Sequence, residues 1–205
     1  INNIPLSIED NGSWCDCDTC AAEKAKYGTD AAVHIKFCND IAEKLDNWVK
    51  TNDDGVPHDR PLKLTMFAYY ATNDAPVTKN ADGTYSPIDE SVVCRDNVNV
   101  LYAPIQAMFN QRIDAPINAA YYEPIKQWSA ICNELALWVY STNFNNYLYP
   151  YNSWDVIQDN YRIYNDYNVM YLFDQGQMNN MRSTAFSELK CFLTSKLSWN
   201  VNEDV

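Results

Sequence analysis

The sequence predicts an α/β fold in which parallel strands alternate with helices, as in the C-terminal portion of a (β/α)8 TIM-type barrel. First, five strand-like segments alternate with helix-like segments, and strands that are connected by helices run parallel. Second, nearly every predicted strand ends in polar or aromatic residues, and barrel strands bring such ends to one catalytic face. An open doubly wound sheet is the alternative, but no glycine-rich turn follows any predicted strand.

Each strand is predicted from a short apolar run. The predicted strands are residues 5–9 (PLSIE), 62–70 (LKLTMFAYY), 98–103 (VNVLYA), 135–140 (LALWVY) and 169–174 (VMYLFD). The polar stretch 72–96 is rich in Asn, Asp, Gly and Pro, and we expect it to be a loop.

The helices are predicted from apolar residues at helical spacing. Thr29 or Asp30 can cap a helix over residues 31–49, and Ser153 can cap another over residues 154–164. Pro124 suits the first turn of a helix that runs to about residue 132. Residues 186–197 form a last amphipathic helix.

The length of 205 residues indicates a single domain over residues 1–205. The chain opens at Ile1 without an initiator Met, and we expect the N-terminal strands of the barrel, the upstream part of the same polypeptide, to precede it. We expect no transmembrane segment, since no apolar run reaches the ~20 residues that span a bilayer.

The charge and the aromatic content restrict the ligands. A net charge of -12 disfavours nucleic acid and anionic membrane surfaces, because both would be repelled. Aromatic residues make up 14% of the chain, with 15 Tyr and 6 Trp. This mixture, with frequent Asn, is typical of sugar-binding proteins and also of Tyr-rich extracytoplasmic proteins that bind no sugar.

Four stretches in one order carry a family resemblance. They are Glu9-Asp10-Asn11 with Cys15-Asp16-Cys17-Asp18-Thr19-Cys20; Ala68-Tyr69-Tyr70; residues 137–144 (LWVYSTNF); and Phe173-Asp174-Gln175-Gly176 followed by residues 186–189 and 196–199. This set resembles an unassigned domain family of secreted bacterial proteins that look like α-glucuronidase-type glycoside hydrolases. The resemblance implies later barrel strands and helices, and an extracytoplasmic location that is periplasmic or attached to the cell surface.

The resemblance also selects candidate catalytic carboxylates. Glycoside hydrolysis needs two of them across the scissile bond, and Asp10 and Asp174 match the family pattern. Glu9 is the third candidate, but neighbouring strand residues point to opposite faces, so only one of Glu9 and Asp10 enters the pocket. We expect Asp10 to protonate the leaving oxygen and Asp174 to position water or the developing cation. The alternative is that Asp10 caps a loop or helix and Asp174 bonds a turn.

Aromatic and amide side chains near the strand ends are the candidate sugar contacts. They are Tyr69, Tyr70, Trp138, Tyr140, Asn143 and Gln175. Trp138 and Tyr140 are two residues apart on one strand, so they share a face. Packing in the core or at the rim is the alternative for each ring.

Three cysteines form the pattern C-x-C-x-x-C at Cys15, Cys17 and Cys20. They would hold a structural zinc if Cys38 or His34 supplied a fourth ligand. A disulfide and free thiols are the other interpretations. No further cofactor is expected, and the remaining cysteines, Cys94, Cys132 and Cys191, are expected to be small buried hydrophobes.

The sequence therefore predicts a glycoside-hydrolase-like protein that acts on oligo- or polysaccharide and cleaves a glycosidic bond with paired carboxylates. A non-catalytic carbohydrate-binding barrel is the alternative, and it is favoured by Val139, which stands where the family usually has an acid. A structural or adaptor domain is a third interpretation.

Overall fold

The structure, a computed structural model, describes residues 2–51, 61–146, 149–175 and 186–204. Within these residues the predicted α/β class is confirmed. The strands are β1 (Asn3–Leu6), β2 (Lys63–Ala68), β3 (Val77–Lys79), β4 (Tyr85–Pro87), β5 (Val98–Tyr102), β6 (Leu135–Val139) and β7 (Val169–Asp174). The helices are α1 (Asp18–Tyr27), α2 (Ala31–Thr51), α3 (Ala119–Ser129), α4 (Trp154–Asp166) and α5 (Ser187–Trp199).

Five of the strands, β1, β2, β5, β6 and β7, belong to one sheet, and β3 pairs with β4 in a separate antiparallel hairpin. β2 runs parallel to both β1 and β5, so Leu64 lies opposite Ile4 on one side and Val98 on the other. The described strands do not close into a barrel. The barrel itself stays a prediction.

The chain divides into two compact units. Unit 1 comprises Ile1–Tyr102 and Pro124–Leu135, and unit 2 comprises Ala103–Glu123 and Ala136–Val205. The predicted site residues Glu9, Asp10, Tyr69 and Tyr70 lie in unit 1, and those of β6, β7 and the loop after β6 lie in unit 2.

The core of unit 1 lies where α2 packs on β2 and β5. The buried strand side chains alternate along β5, as expected when one face of a sheet is covered. Asn97, just before β5, is also buried, and its side chain donates hydrogen bonds to Ala42 and Asp46 of α2. The largest fully buried side chains of this core are Ile35, Leu64, Met66, Val92, Tyr102, Ile125, Trp128, Ile131 and Leu135.

The core of unit 2 packs α4 and α5 on β7. One face of α4 buries Ile157, Asn160, Tyr161 and Tyr164, which agrees with the predicted helical stripe. The buried Asn160 amide is satisfied by the backbone, since its oxygen accepts from Ile113 N–H at 2.7 Å and its nitrogen donates to a carbonyl oxygen. Such pairing is expected for a buried polar group.

Three short elements differ from the sequence prediction. β1 ends at Leu6, so Glu9 and Asp10 lie in the connection after the strand and not at its tip. The predicted loop 72–96 contains the β3–β4 hairpin. Helix α1 was not predicted, because it buries only Tyr27 and has no apolar stripe.

The predicted position of Pro124 at a first helical turn is wrong. Pro124 lies inside α3, which begins at Ala119. The initiating proline is Pro116, in a 3-10 turn that leads into the helix. Pro124 has no N–H to donate to the carbonyl of Ala120, and its side chain is buried.

Candidate functional site

In unit 1, an acid–tyrosine cluster lies after β1 and β2. Its members are Glu9, Asp10, Tyr69 and Tyr70. The two tyrosine rings are 4.8 Å apart between centroids. Burial raises the pKa of the Tyr69 hydroxyl, and the charges of Asp10, Tyr70 and Glu9 raise this pKa further. The structure therefore brings four predicted site residues together, with both carboxylates exposed.

Tyr70 has an unusual backbone conformation in this cluster. Its φ is 50°, in the left-handed region that a bulky side chain rarely occupies. Thr72 stabilises the turn, since its hydroxyl accepts from the Tyr69 N–H at 3.2 Å and donates to the Tyr69 carbonyl at 3.0 Å. The turn leaves the Tyr70 ring 63% exposed. Backbone strain of this kind is commonly found at functional sites.

In unit 2, aromatic side chains from β6, β7 and the residue after β6 form a platform, which we define as Trp138, Tyr140 and Phe173. The Trp138 and Tyr140 rings are stacked, with centroids 5.8 Å apart and planes 6° apart, so they share a face as their spacing predicts. Phe173 contacts Trp138 edge-on at 4.8 Å. All three rings keep part of their surface exposed.

Gln175 holds the platform in place. Its side-chain oxygen accepts a hydrogen bond from Trp138 Nε1 at 2.8 Å. Its backbone N–H donates to the Val139 carbonyl at 2.8 Å, which joins the end of β7 to β6. Gln175 is therefore a positioning residue for the indole ring, while the next residue, Gly176, lies outside the described residues.

Asn143 shapes the loop that follows the platform. Its side-chain oxygen accepts from the N–H groups of Asn145 and Asn146, both at 3.1 Å. This is the turn-forming role that Asn commonly has. Phe144 in the same loop is exposed, and its ring lies 6.0 Å from that of Tyr140. The loop thus extends the aromatic surface beyond the platform.

Asp174 belongs to a polar cluster on the other face of β7. The Ser141 hydroxyl donates to the Asp174 carboxylate, and the Lys190 ammonium donates to the Ser141 carbonyl. Lys190 also lies over the rings of Tyr151 and Trp154, at 5.4 and 5.8 Å. Because strand residues alternate between faces, Asp174 points away from the side of Phe173 and Gln175 and towards α5.

Burial shifts both ionisable groups of this polar cluster. It raises the pKa of Asp174, although the Ser141 hydroxyl and the Lys190 charge act in the opposite direction. It lowers the pKa of Lys190, against the attraction of Asp174. A carboxyl group with a raised pKa holds its proton to higher pH, which is what a proton donor needs.

The three cysteines of the C-x-C-x-x-C pattern lie together in unit 1. Their sulfur atoms are all within 4.8 Å of one another. The N–H of Cys20 and the neighbouring thiols lower the pKa of Cys17, and hydrogen bonds from Cys15 and Cys17 raise the pKa of Cys20 to about 12. The structure has no disulfide among the seven cysteines, all of which lie in the described ranges.

The other cysteines and His34 do not join this cluster. Within the described part of the chain, neither His34 nor Cys38 belongs to the group of ligand atoms around Cys15. Cys38, Cys94 and Cys132 are buried, as small hydrophobes are. Cys191 is exposed on α5, so the expectation that it is buried is wrong.

A comparison with protein-family profiles identifies the family of this chain. The profile described as Domain of unknown function (DUF4838) matches residues 2–205. The chain belongs to this family. A search of curated proteins and a search of solved structures each found no match.

Val139 lies away from the platform in this DUF4838 chain. It is only 3% exposed and points to the opposite face of β6 from Trp138 and Tyr140. An acid at this position would be aimed at the protein interior and not at the platform.

None of the helices in the described ranges has the length and hydropathy that crossing a bilayer requires.

Three residues of these sites, Phe173, Ser141 and Lys190, are not among the predicted site residues. Phe173 could have been found, because it is two residues before Gln175 and shares its face. Ser141 follows a predicted strand but carries no signal of its own. Lys190 lies on α5, and its approach to Ser141 depends on how that helix packs, which the sequence pattern does not specify.

Proposed function

We propose that this chain binds glycan through the aromatic platform of Trp138, Tyr140 and Phe173. The observation that carries the proposal is the nearly coplanar stack of Trp138 and Tyr140, whose ring planes differ by 6°. Partly exposed aromatic faces pack well against the C–H faces of sugar rings, and polar groups at their edges bind hydroxyls. Gln175 fixes the indole orientation before any ligand arrives, which reduces the entropy lost on binding.

The face on which the platform lies supports the barrel prediction. We propose that the sheet is a portion of a (β/α)8 TIM-type barrel related to α-glucuronidase-like glycoside hydrolases. In such barrels helices cover the outside and substrates bind at the carboxyl ends of the strands. The contacts of α4 and α5 with β7, and the direction of Asp174 towards α5, leave the platform on the face without these helices.

The family resemblance extends this proposal to location. We propose an extracytoplasmic protein, periplasmic or attached to the cell surface, where polysaccharide is encountered. A fusion of the full-length natural protein to a reporter that is active only outside the cytoplasm tests this. Reporter activity supports the proposal, and its absence from a stably expressed fusion contradicts it.

The binding proposal is tested by replacing the platform residues one at a time. Trp138→Ala, Tyr140→Ala and Phe173→Ala should each weaken affinity for the ligand found on a glycan array by about tenfold or more, or about 1.4 kcal/mol. Trp199→Ala is the matched control, because Trp199 is 93% exposed on α5 and lies outside the platform. Isothermal titration gives the affinities. An equal loss of glycan affinity in Trp199→Ala, or unchanged affinity in the three platform variants, contradicts the proposal.

Hydrolysis is the second candidate function, and the exposed carboxylates of Glu9 and Asp10 beside Tyr69 favour it. In this reaction a carboxylic acid protonates the glycosidic oxygen, the bond to the anomeric carbon breaks, and water adds to that carbon. Asp10 is exposed and stays the predicted proton donor, whereas Asp174 points towards α5 and away from a glycan on the platform. Glu9, in the same cluster as Asp10, is the candidate for the second carboxylate within unit 1.

Three asparagine variants separate binding from hydrolysis. Asp10→Asn should abolish release of reducing ends from a bound glycan and leave its affinity within a few-fold of wild type, and loss of cleavage in Asp174→Asn as well would identify Asp174 as the second carboxylate. Asp166→Asn is the control, because Asp166 is an exposed acid at the end of α4. Binding without any cleavage by the wild type rejects the hydrolase and leaves the binding function in place.

A further inference from the structure

A compact set of three thiols lies at the start of α1. Cys15 and Cys17 are exposed, Cys20 is partly buried, and all three sulfurs lie within 4.8 Å of one another. Cys17 immediately precedes α1, and Cys20 is in its first turn. The spacing C-x-C-x-x-C thus converges through a local turn of backbone and needs no distant element.

The local environment favours a bound cation. Asp16 and Asp18 flank Cys17 and are exposed, so their charges add a negative potential around the sulfurs. Thiolate sulfur is a soft ligand that binds Zn²⁺ strongly in proteins.

The distances fit zinc after small side-chain rotations. With a Zn–S distance of about 2.3 Å, two sulfurs of a tetrahedral site lie roughly 3.8 Å apart. The described residues provide no fourth cysteine, histidine or carboxylate within the cluster. A closed four-ligand site with Cys38 or His34 is therefore not the geometry seen here.

We propose that Cys15, Cys17 and Cys20 bind one Zn²⁺ ion through three thiolates, with the fourth position open to water or another small ligand. The ion would have a structural effect on the segment between β1 and α1. Residues 7–17 form no helix or strand, and this segment carries Glu9 and Asp10. Zinc would link Cys15 and Cys17 of this segment to Cys20 in the first turn of α1. It would thereby limit the movement of Glu9 and Asp10 in the acid–tyrosine cluster.

The site is tested on the purified, fully reduced chain with the metal alone. Competition with a chromophoric chelator should show one zinc ion bound per chain, and Co²⁺ in its place should give a thiolate charge-transfer band. Cys15→Ser, Cys17→Ser and Cys20→Ser should each lower zinc affinity at least about tenfold and remove about a third of the band. Cys191→Ser is the matched control, because Cys191 is an exposed thiol on another helix.

Each result decides for or against the site. One zinc per chain that is lost in the three variants and kept in the control supports it. Zinc that remains in the triple serine variant is adventitious and overturns it. A disulfide within the cluster that reforms in the presence of zinc, seen by peptide mass, also overturns it. Circular dichroism of each variant confirms that a lost metal does not reflect a lost fold.

Discussion

At the scale of single residues, His34 is a buried group whose charge state affects stability. It lies on α2 with 8% of its surface exposed, and its Nδ1 has no hydrogen-bond partner among the described residues. The Trp14 ring lies edge-on to it, 6.2 Å away. Burial lowers the pKa of His34 to about 4. A neutral imidazole is therefore part of the folded state.

His34 should make stability depend on pH. The unfolded chain gains a proton on this side chain near pH 6.5, whereas the folded chain gains it only near pH 4. The unfolded state thus binds more protons between these values, so the stability present above pH 6.5 is lost as the pH falls. We expect wild type to lose about 3 kcal/mol more than His34→Gln between pH 7 and pH 4. Urea unfolding of both proteins at several pH values measures this, and parallel curves would contradict it.

Ser141 should stabilise unit 2 through Asp174. Its hydroxyl donates to a partly buried carboxylate, and a hydrogen bond to a charged group contributes more than a neutral one. Ser141→Ala should lower the free energy of unfolding by about 1–3 kcal/mol at pH 7. Ser195→Ala, at an exposed position on α5, should change it by less than about 0.5 kcal/mol. An equal change in the free energy of unfolding for both variants would show that the hydrogen bond from Ser141 to Asp174 does not stabilise unit 2.

At the scale of secondary-structure elements, Gly28 ends α1. Its φ is 74°, and its N–H donates to the Lys24 carbonyl at 2.8 Å. A Cβ added here would meet no atom within 4 Å, so any cost of substitution comes from the backbone alone. Gly28→Ala should therefore destabilise unit 1 by about 1 kcal/mol. Gly28→Asn should cost less, because Asn tolerates this conformation. Urea unfolding distinguishes the two, and equal costs would contradict the backbone explanation.

The elements that the sequence predicts well are those with a strong apolar pattern. α2, β5, β6 and β7 begin and end within two residues of their predicted limits. α2, β5 and β6 each bury a run or stripe of side chains, and β7 is a continuous apolar run in the sequence although its side chains are at most half-buried. α1 and the β3–β4 hairpin were missed for the opposite reason. Their side chains are mostly exposed, so hydrogen bonding and turn geometry define them without a hydrophobic period.

The site was predictable only as far as strand alternation determines it. The period of two places Trp138 and Tyr140 together, and the rings do stack. The same period separates Asp174 from Phe173 and Gln175, but which face the helices cover depends on packing. Lys190 of α5 settles that question in the structure. A sequence pattern identifies which residues share one face of a strand. It does not identify which helix packs against that face.

At the scale of the whole molecule, unit 2 exposes several large apolar side chains. Met170 and Tyr171 of β7 are 74% and 61% exposed, and Phe192 and Trp199 of α5 are also exposed. β7 pairs with β6 on one side, and no described strand pairs with its other edge. Exposed apolar residues beside an open strand edge promote association between chains.

This surface should make the 205-residue chain associate as its concentration rises. The double variant Met170→Lys, Phe192→Lys removes two exposed apolar side chains and places charges at the strand edge and on α5, so it should remain monomeric over a wider concentration range. The control is Asn165→Lys, Ser195→Lys, which makes the same change in net charge at exposed polar positions. It should associate like wild type, since the driving force is burial of apolar area and not the net charge of -12. Sedimentation velocity measures all three proteins, and equal loss of association in both variants would assign the effect to charge.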